Sequence, residues 1–209
     1  MPLLKKDIEV LRELGSKYMS YANLPIQKEK LELWKSLNRC KMQRPMVCID
    51  QLPWNELNIN DELTLQIKDP YWRAVEWNLR AQIYKWTYFP VDMVLEPYIT
   101  IPKVIRNSGY GILPDVKRLE LVEGTTAASQ KFTNLLKDYD DIQKIKDMEI
   151  TEDEELSKQY LQEAEEIFDG IAPVIQGHGL QFHLGVWDYL TQLMSIEDAY
   201  FDIIDRPEF

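Results

Sequence analysis

Apolar residues along the chain recur in two rhythms. Between residues 6 and 38, Ile8, Leu11, Leu14 and Tyr18 follow the three- and four-residue spacing of one helical face. Pro25 interrupts that rhythm, which predicts two helices with a break over Ala22–Pro25. The second runs from about Ile26 to Leu37, with Leu31 and Trp34 facing inward. Pro45-Met46-Val47-Cys48-Ile49-Asp50 is a short apolar run bounded by polar residues, the reading of a buried strand. A short helix is expected over about 61–67. Asp69 followed by Pro70 reads as an N-cap and first helical position. The helix from there to about Tyr88 would bury Trp72, Val75, Leu79 and Ile83, with Pro90 as its stop.

A second strand-like run covers Asp92–Ile99, with Glu96 and Tyr98 near its end. From Ile101 to Thr126 the glycines Gly109, Gly111 and Gly124 suggest a hairpin or lid. Residues 128–168 return to a helical pattern, split near Met148–Thr151, with Asp153–Phe168 the clearer part. Ile171–Gln176 reads as a third strand ending in Gly177-His178-Gly179, and helices follow at about Val186–Met194 and Ile196–Ile204. Strands alternating with helices predict an α/β fold. Three strands cannot close a TIM barrel, which needs eight strands and about 250 residues.

Composition narrows the class. The 209 residues carry a net charge of −11, which disfavours phosphate backbones and anionic membrane surfaces alike, so neither nucleic acid nor membrane is an expected partner. Residues 137–169 hold thirteen Asp or Glu against four Lys, a run that usually forms a solvated helical face. Cys40 and Cys48 are the two cysteines and form no CxxC pair. The N-terminus lacks the apolar core of a signal peptide, so the cytoplasm is the expected compartment.

Three phrases carry a resemblance to a known family: Arg44-Pro45-Met46-Val47, Asp92-Met93-Val94-Leu95-Glu96-Pro97, and Ile171-Ala172-Pro173-Val174-Ile175-Gln176-Gly177. A helix ending in Asp205-Arg206-Pro207-Glu208-Phe209 follows the third. In this order they resemble the uroporphyrinogen decarboxylase superfamily, which includes corrinoid- and cobamide-dependent methyltransferases. The last phrase is similar to that family's D-x-P-E step between helices. The likeness spans most of this chain and about the first half of a typical member. It implies an α/β fold with a partial TIM-barrel-like (β/α) unit over residues 44–209, preceded by a helical extension over 1–43. It implies methyl transfer through a corrinoid protein, by a chain that is incomplete without its missing barrel half or a partner subunit. Corrinoid (cobalamin) and zinc are implied for the full-length protein, and a homo-oligomer is expected. Family decarboxylases carry an arginine-rich M-R-Q-A-G-R loop after the first strand and an F-S-D segment after the second. Here those places read Cys48-Ile49-Asp50-Gln51-Leu52-Pro53-Trp54 and Leu95-Glu96-Pro97-Tyr98-Ile99. A substrate with many carboxylates needs a cationic pocket, so porphyrinogen decarboxylation ranks behind methyl transfer. The zinc-binding His-x-Cys of the methyltransferase branch is absent from these 209 residues. A binding or assembly module that keeps a half-barrel without chemistry is the alternative.

Candidate catalytic residues are Asp50, Glu96 and His178; candidate substrate-binding residues are Trp54, Tyr98, Arg106, His183 and Trp187. Asp50 and Glu96, with Asp188, would serve acid–base work if the strand ends converge, and otherwise cap loops. His178 sits between glycines at a strand-to-helix turn. With His183 it would hold a metal only if the chain bent between them and a carboxylate joined in. Trp54, Tyr98, Tyr110 and Trp187 suit a flat pocket or plain packing. Arg106 suits an anionic group or a surface ion pair.

Overall fold

A computed structural model describes residues 3–119, 129–178 and 185–209. They form a mixed α/β protein in two compact units, one from residues 3–103 and 154–178, the other from 104–119, 129–153 and 185–209.

The first unit opens with α1 (Lys5–Ala22) and α2 (Pro25–Asn38), divided where Pro25 predicts. Leu11, Leu14, Tyr18, Met19 and Ala22 of α1 are buried, the stripe its spacing predicts. Next comes α3 (Pro70–Tyr88). The Asp69 carboxylate accepts the N–H groups of Tyr71 and Trp72 at 3.0 and 3.2 Å and caps it, and Pro70 occupies the first turn. Trp72, Val75, Leu79 and Ile83 are buried as expected, joined by Glu76 and Tyr84.

Strand β1 (Ile99–Pro102) pairs in parallel with β6 (Val174–Gly177), Ile99 opposite Val174 and Pro102 opposite Gly177. Helix α5 (Glu154–Ile167) packs on both strands and on α1, and α1 packs on α3. Leu11, Ile67, Trp72, Leu79, Ile99, Ile101, Ala164 and Phe168 fill the core between them. Two glycines are set by close approach. A Cβ on Gly15 would come within 2.8 Å of the Phe168 ring, and one on Gly177 within 2.7 Å of the Thr100 methyl.

The second unit holds two antiparallel pairs: β2 (Ile105–Asn107) with β5 (Ile150–Glu152), and β3 (Val116–Leu119) with β4 (Ser129–Phe132). Its helices are α4 (Tyr139–Ile142), α6 (Val186–Leu193) and α7 (Ile196–Asp205). The last two lie where the periodicity predicts. Asp138 and Asp141 cap α4 reciprocally, and Ser195 caps α7.

Several expectations need correction. Pro45–Asp50 is no strand. Its backbone bonds are not those of a ladder: Val47 N–H donates to the Asp92 carboxylate at 2.8 Å, Asp92 N–H donates to the Val47 carbonyl at 3.1 Å, and the Pro45 carbonyl accepts from Arg44 at 2.9 Å. Residues 61–63 form a bend and a turn, and residues 64–67 run as irregular chain. The Leu63 N–H goes to the Asn58 side chain, and those of Gln66 and Ile67 go to the Glu76 carboxylate, which leaves the turn bond from Thr64 N–H to the Asp61 carbonyl without a helical ladder to extend it. Of Asp92–Ile99 only Ile99 joins a strand. The N–H groups of Met93, Leu95 and Tyr98 point at the Pro90 carbonyl, the Gln27 side chain and the Glu96 carbonyl. The third strand begins at Val174, because the N–H groups of Ile171 and Ala172 still return to the Phe168 carbonyl and finish the turn of α5. Residues 129–132 pair as strand β4 where helix was expected. Of the stretch Ile101–Thr126, expected as a hairpin or lid, β3 pairs with β4 beyond that stretch and β2 with β5, while Gly124 lies outside the described residues. In α2 the buried residues are Gln27 and Lys30, with Leu31 and Trp34 half-buried. That face meets backbone instead of a core. Gln27 bridges the Leu95 N–H and the Tyr21 carbonyl at 2.9 and 3.0 Å, and the Trp34 indole donates to the Asp92 carbonyl at 2.7 Å. Among the described residues one parallel strand pair is present, where three parallel strands were expected.

Candidate functional site

The segment between α3 and β1 brings two of the candidate residues to one cavity in the first unit. Its N–H groups go to the Val47 carbonyl, to Gln27 and to local turns, so it runs as irregular chain until β1. A cavity of about 150 Å³ lies there, lined by Tyr18, Asn78, Leu79, Gln82, Val94, Glu96, Tyr98, Ile99 and Thr100. Val94 and Glu96 also border a second cleft of about 300 Å³ against the α1–α2 junction, where Gln27, Lys28 and Leu31 contribute. Glu96 and Tyr98 therefore share one cavity.

Tyr18 was legible only as one of a stripe of core residues. Its ring is buried, but its hydroxyl donates to the Glu96 carbonyl at 3.0 Å. Burial, followed by the negative field of Glu96 and the nearby Tyr98, pushes its pKa up to about 12. The phenol thus stays protonated and keeps donating. Asn78 and Gln82, one turn apart on α3, pair amide to amide at 3.1 Å along the cavity wall. A tyrosine at the end of an apolar stripe is the signal that points here, since a buried Tyr normally finds a partner for its hydroxyl.

The other candidates are not gathered here. Asp50 is highly exposed and meets Lys85 at 3.4 Å. Trp54 packs edge-on against Trp77 at 5.3 Å between ring centres, and against Tyr84 at 6.3 Å. His178 is exposed at the carboxyl end of β6. Tyr98 and Glu96 precede β1, so they stand at the amino end of the same sheet. By the register, Tyr98 is level with Pro173. Five residues of strand rise, about 16 Å, separate that level from His178. The expected gathering of Glu96 and His178 at the strands' carboxyl ends is therefore corrected: Glu96 lies three residues before β1 begins, outside the ladder and at its amino end.

In the second unit, Arg106 is exposed and pairs with Asp153 at 2.6 Å, the surface ion pair among its two readings. Trp187 packs against Tyr200 at 5.6 Å between ring centres. It borders an apolar cavity of about 270 Å³ with Leu136, Leu190, Met194, Ile203 and Phe209. Tyr110 meets Tyr189 edge-on at 5.4 Å. His183 lies outside the described residues. Among the described residues no three His, Cys, Asp or Glu side chains gather as a metal site requires.

A charged cluster that sequence reading passed over stands beside α2. Arg44 grips the Asp92 carboxylate with two nitrogens at 2.8 and 2.5 Å, and Val47 N–H adds a third bond. The Arg44 contact foremost, then the Val47 N–H, holds the Asp92 carboxyl well below the usual carboxylate range. Lys30 is buried nearby, its ammonium 4.5 Å over the Trp86 ring. Burial lowers the Lys30 pKa, with Asp92 opposing that shift. Every contact in the cluster ties chain to chain, so its role is to anchor the 44–47 and 92–95 segments to α2.

Set beside known proteins, the chain matches no family model, no curated protein and no solved structure. Among the described residues no helix is long and apolar enough to cross a membrane.

Proposed function

We propose that this chain is the front portion of a uroporphyrinogen-decarboxylase-type (β/α) barrel of the methyltransferase branch, working in methyl transfer through a corrinoid protein. The observation that carries the reading is the parallel β1–β6 pair with α5 laid across both strands. Parallel neighbours need a crossover connection, and a strand–helix–strand layer is the unit from which such cylinders are made. In this reading His178, at the carboxyl end of β6, stands at the mouth where barrels keep their sites. The phrases around Arg44, Asp92, Ile171 and Asp205 support the family assignment by their order. The remaining staves come from further chain or from a partner subunit.

The residues in hand do not fit a zinc centre. The sequence has no His-x-Cys, Cys40 and Cys48 are exposed, and no group of three suitable side chains meets among the described residues. The corrinoid would be carried by the partner protein. Porphyrinogen decarboxylation stays behind methyl transfer, because no arginine lines the Tyr18–Glu96–Tyr98 cavity to receive carboxylates.

Assembled with the segment or subunit that completes the barrel, the protein should consume a methylated donor when free cob(I)alamin is supplied as acceptor. His178→Ala should slow that consumption about a hundredfold. A donor left intact by the assembled protein would end the reading.

A second reading, a binding or assembly module without chemistry, is favoured by one observation. Val186, Trp187, Ile196, Tyr200, Phe201 and Ile204 on α6 and α7 are exposed large apolar side chains, more than scattered surface residues would give. Stable self-association of a protein that binds neither donor nor corrinoid would select it.

A further inference from the structure

The cavity between α1, α3 and the chain before β1 has a chemical character of its own, independent of the methyl-transfer reading and at the opposite end of the sheet from His178. One acidic residue, Glu96, contributes to its lining, and its charge is near enough to the Tyr18 hydroxyl to raise that group's pKa. Among the described residues no lysine, arginine or histidine pairs with that carboxylate. None contributes to the lining either, where the other polar groups are neutral: two phenols, two amides and Thr100. The Tyr18 hydroxyl is committed to the Glu96 carbonyl, and the Asn78 and Gln82 side chains are bonded to each other. An uncompensated carboxylate beside two tyrosine rings attracts cations twice, through its charge and through the ring faces. The net charge of −11 adds to that field.

Size and ligand type decide which cation. A hard metal ion asks for six or more oxygen ligands with several carboxylates among them, and this lining has one acidic residue among neutral amides and hydroxyls. The volume of about 150 Å³ is that of about five water-sized groups at ~30 Å³ each. We propose that this cavity binds a small organic cation, an alkylammonium headgroup, with its charge against Glu96 and its carbon surface against Tyr18 and Tyr98. Leu79, Val94 and Ile99 complete the apolar side of the site.

Two probes of equal size and different charge test this on the full chain. Tetramethylammonium, followed by calorimetry or by shifts of the tyrosine ring resonances, should bind saturably with a Kd of about a millimolar. tert-Butanol, neutral and of the same bulk, should bind at least about tenfold more weakly. Glu96→Gln keeps the side-chain volume and should weaken tetramethylammonium about tenfold while leaving tert-butanol unchanged. Equal binding of the two probes by the unaltered protein would overturn the proposal, as would no saturation at tens of millimolar. Unchanged cation binding by a folded Glu96→Gln protein would overturn it as well. The probe comparison needs no variant, so the test survives even if the substitution disturbs folding. Loss of donor consumption with cation binding intact would remove the methyl-transfer reading and leave this one standing.

Discussion

Single side chains in this protein do most of their work on backbone that lacks a ladder. Asp92 is the sharpest case, since Arg44 and the Val47 N–H both require its ionised form. Its folded pKa is depressed, so its contribution to stability is present above the unfolded value of about 3.9 and is lost as the pH falls from there toward the folded value. Asp92→Asn should therefore lower the denaturation midpoint at neutral pH, and the gap to the unaltered protein should narrow below about pH 4. Chemical denaturation repeated across that range measures it; a constant gap would mean that Asp92 acts through packing alone. Gln27 and Glu76 work in the same way on Leu95 and on Gln66 and Ile67. None of these roles was legible in the sequence. A polar residue inside a helical stretch looks solvent-facing until the loop that needs its hydrogen bonds is brought beside it.

Helices were the elements most readable in advance. The boundaries of α1, α2, α3, α5, α6 and α7 follow from apolar spacing, proline positions and caps. Asp69 is the clearest cap, and Asp69→Ala should cost about 1 kcal/mol. In urea that loss would appear as a lower midpoint with an unchanged slope. A change of slope would mean that residues beyond the first turn of α3 had come loose. Strands were read poorly, for a physical reason. Each described strand has only three or four residues, and its hydrogen bonds go to partners far along the chain. The apolar run Pro45–Asp50 has the texture of a strand but finds no neighbour, while Ser129–Phe132, with no such texture, pairs along Val116–Leu119. Strand propensity reports fitness for a pleated surface, not the existence of one. The candidate residues were misplaced by the same error: moving the start of the strand to Ile99 shifted Glu96 and Tyr98 from its carboxyl end to its amino end.

Across the whole molecule, the apolar core is unevenly shared. The first unit buries Leu11, Ile67, Trp72, Leu79, Leu95, Ile101 and Phe168 at two per cent exposure or less. In the second unit Leu136 alone among the described apolar residues is buried to that degree, with Met194, Ala199 and Leu193 next at 3, 4 and 7 per cent exposure. Amides of α3 should accordingly exchange with deuterium far more slowly than those of β4 or α7. Equal protection in the two units would show that they open together. What the sequence alone determined was local: helix positions, the α3 cap, the break at Pro25 and an acidic surface, all set by residues within a turn or two of one another. The tertiary structure decided which strands exist, that β1 and β6 run in parallel, and that Tyr18, Glu96 and Tyr98 share one cavity. Those outcomes depend on contacts between residues tens of positions apart, whose loop-closure cost is repaid only once the helices have packed and the distant partners are held in place.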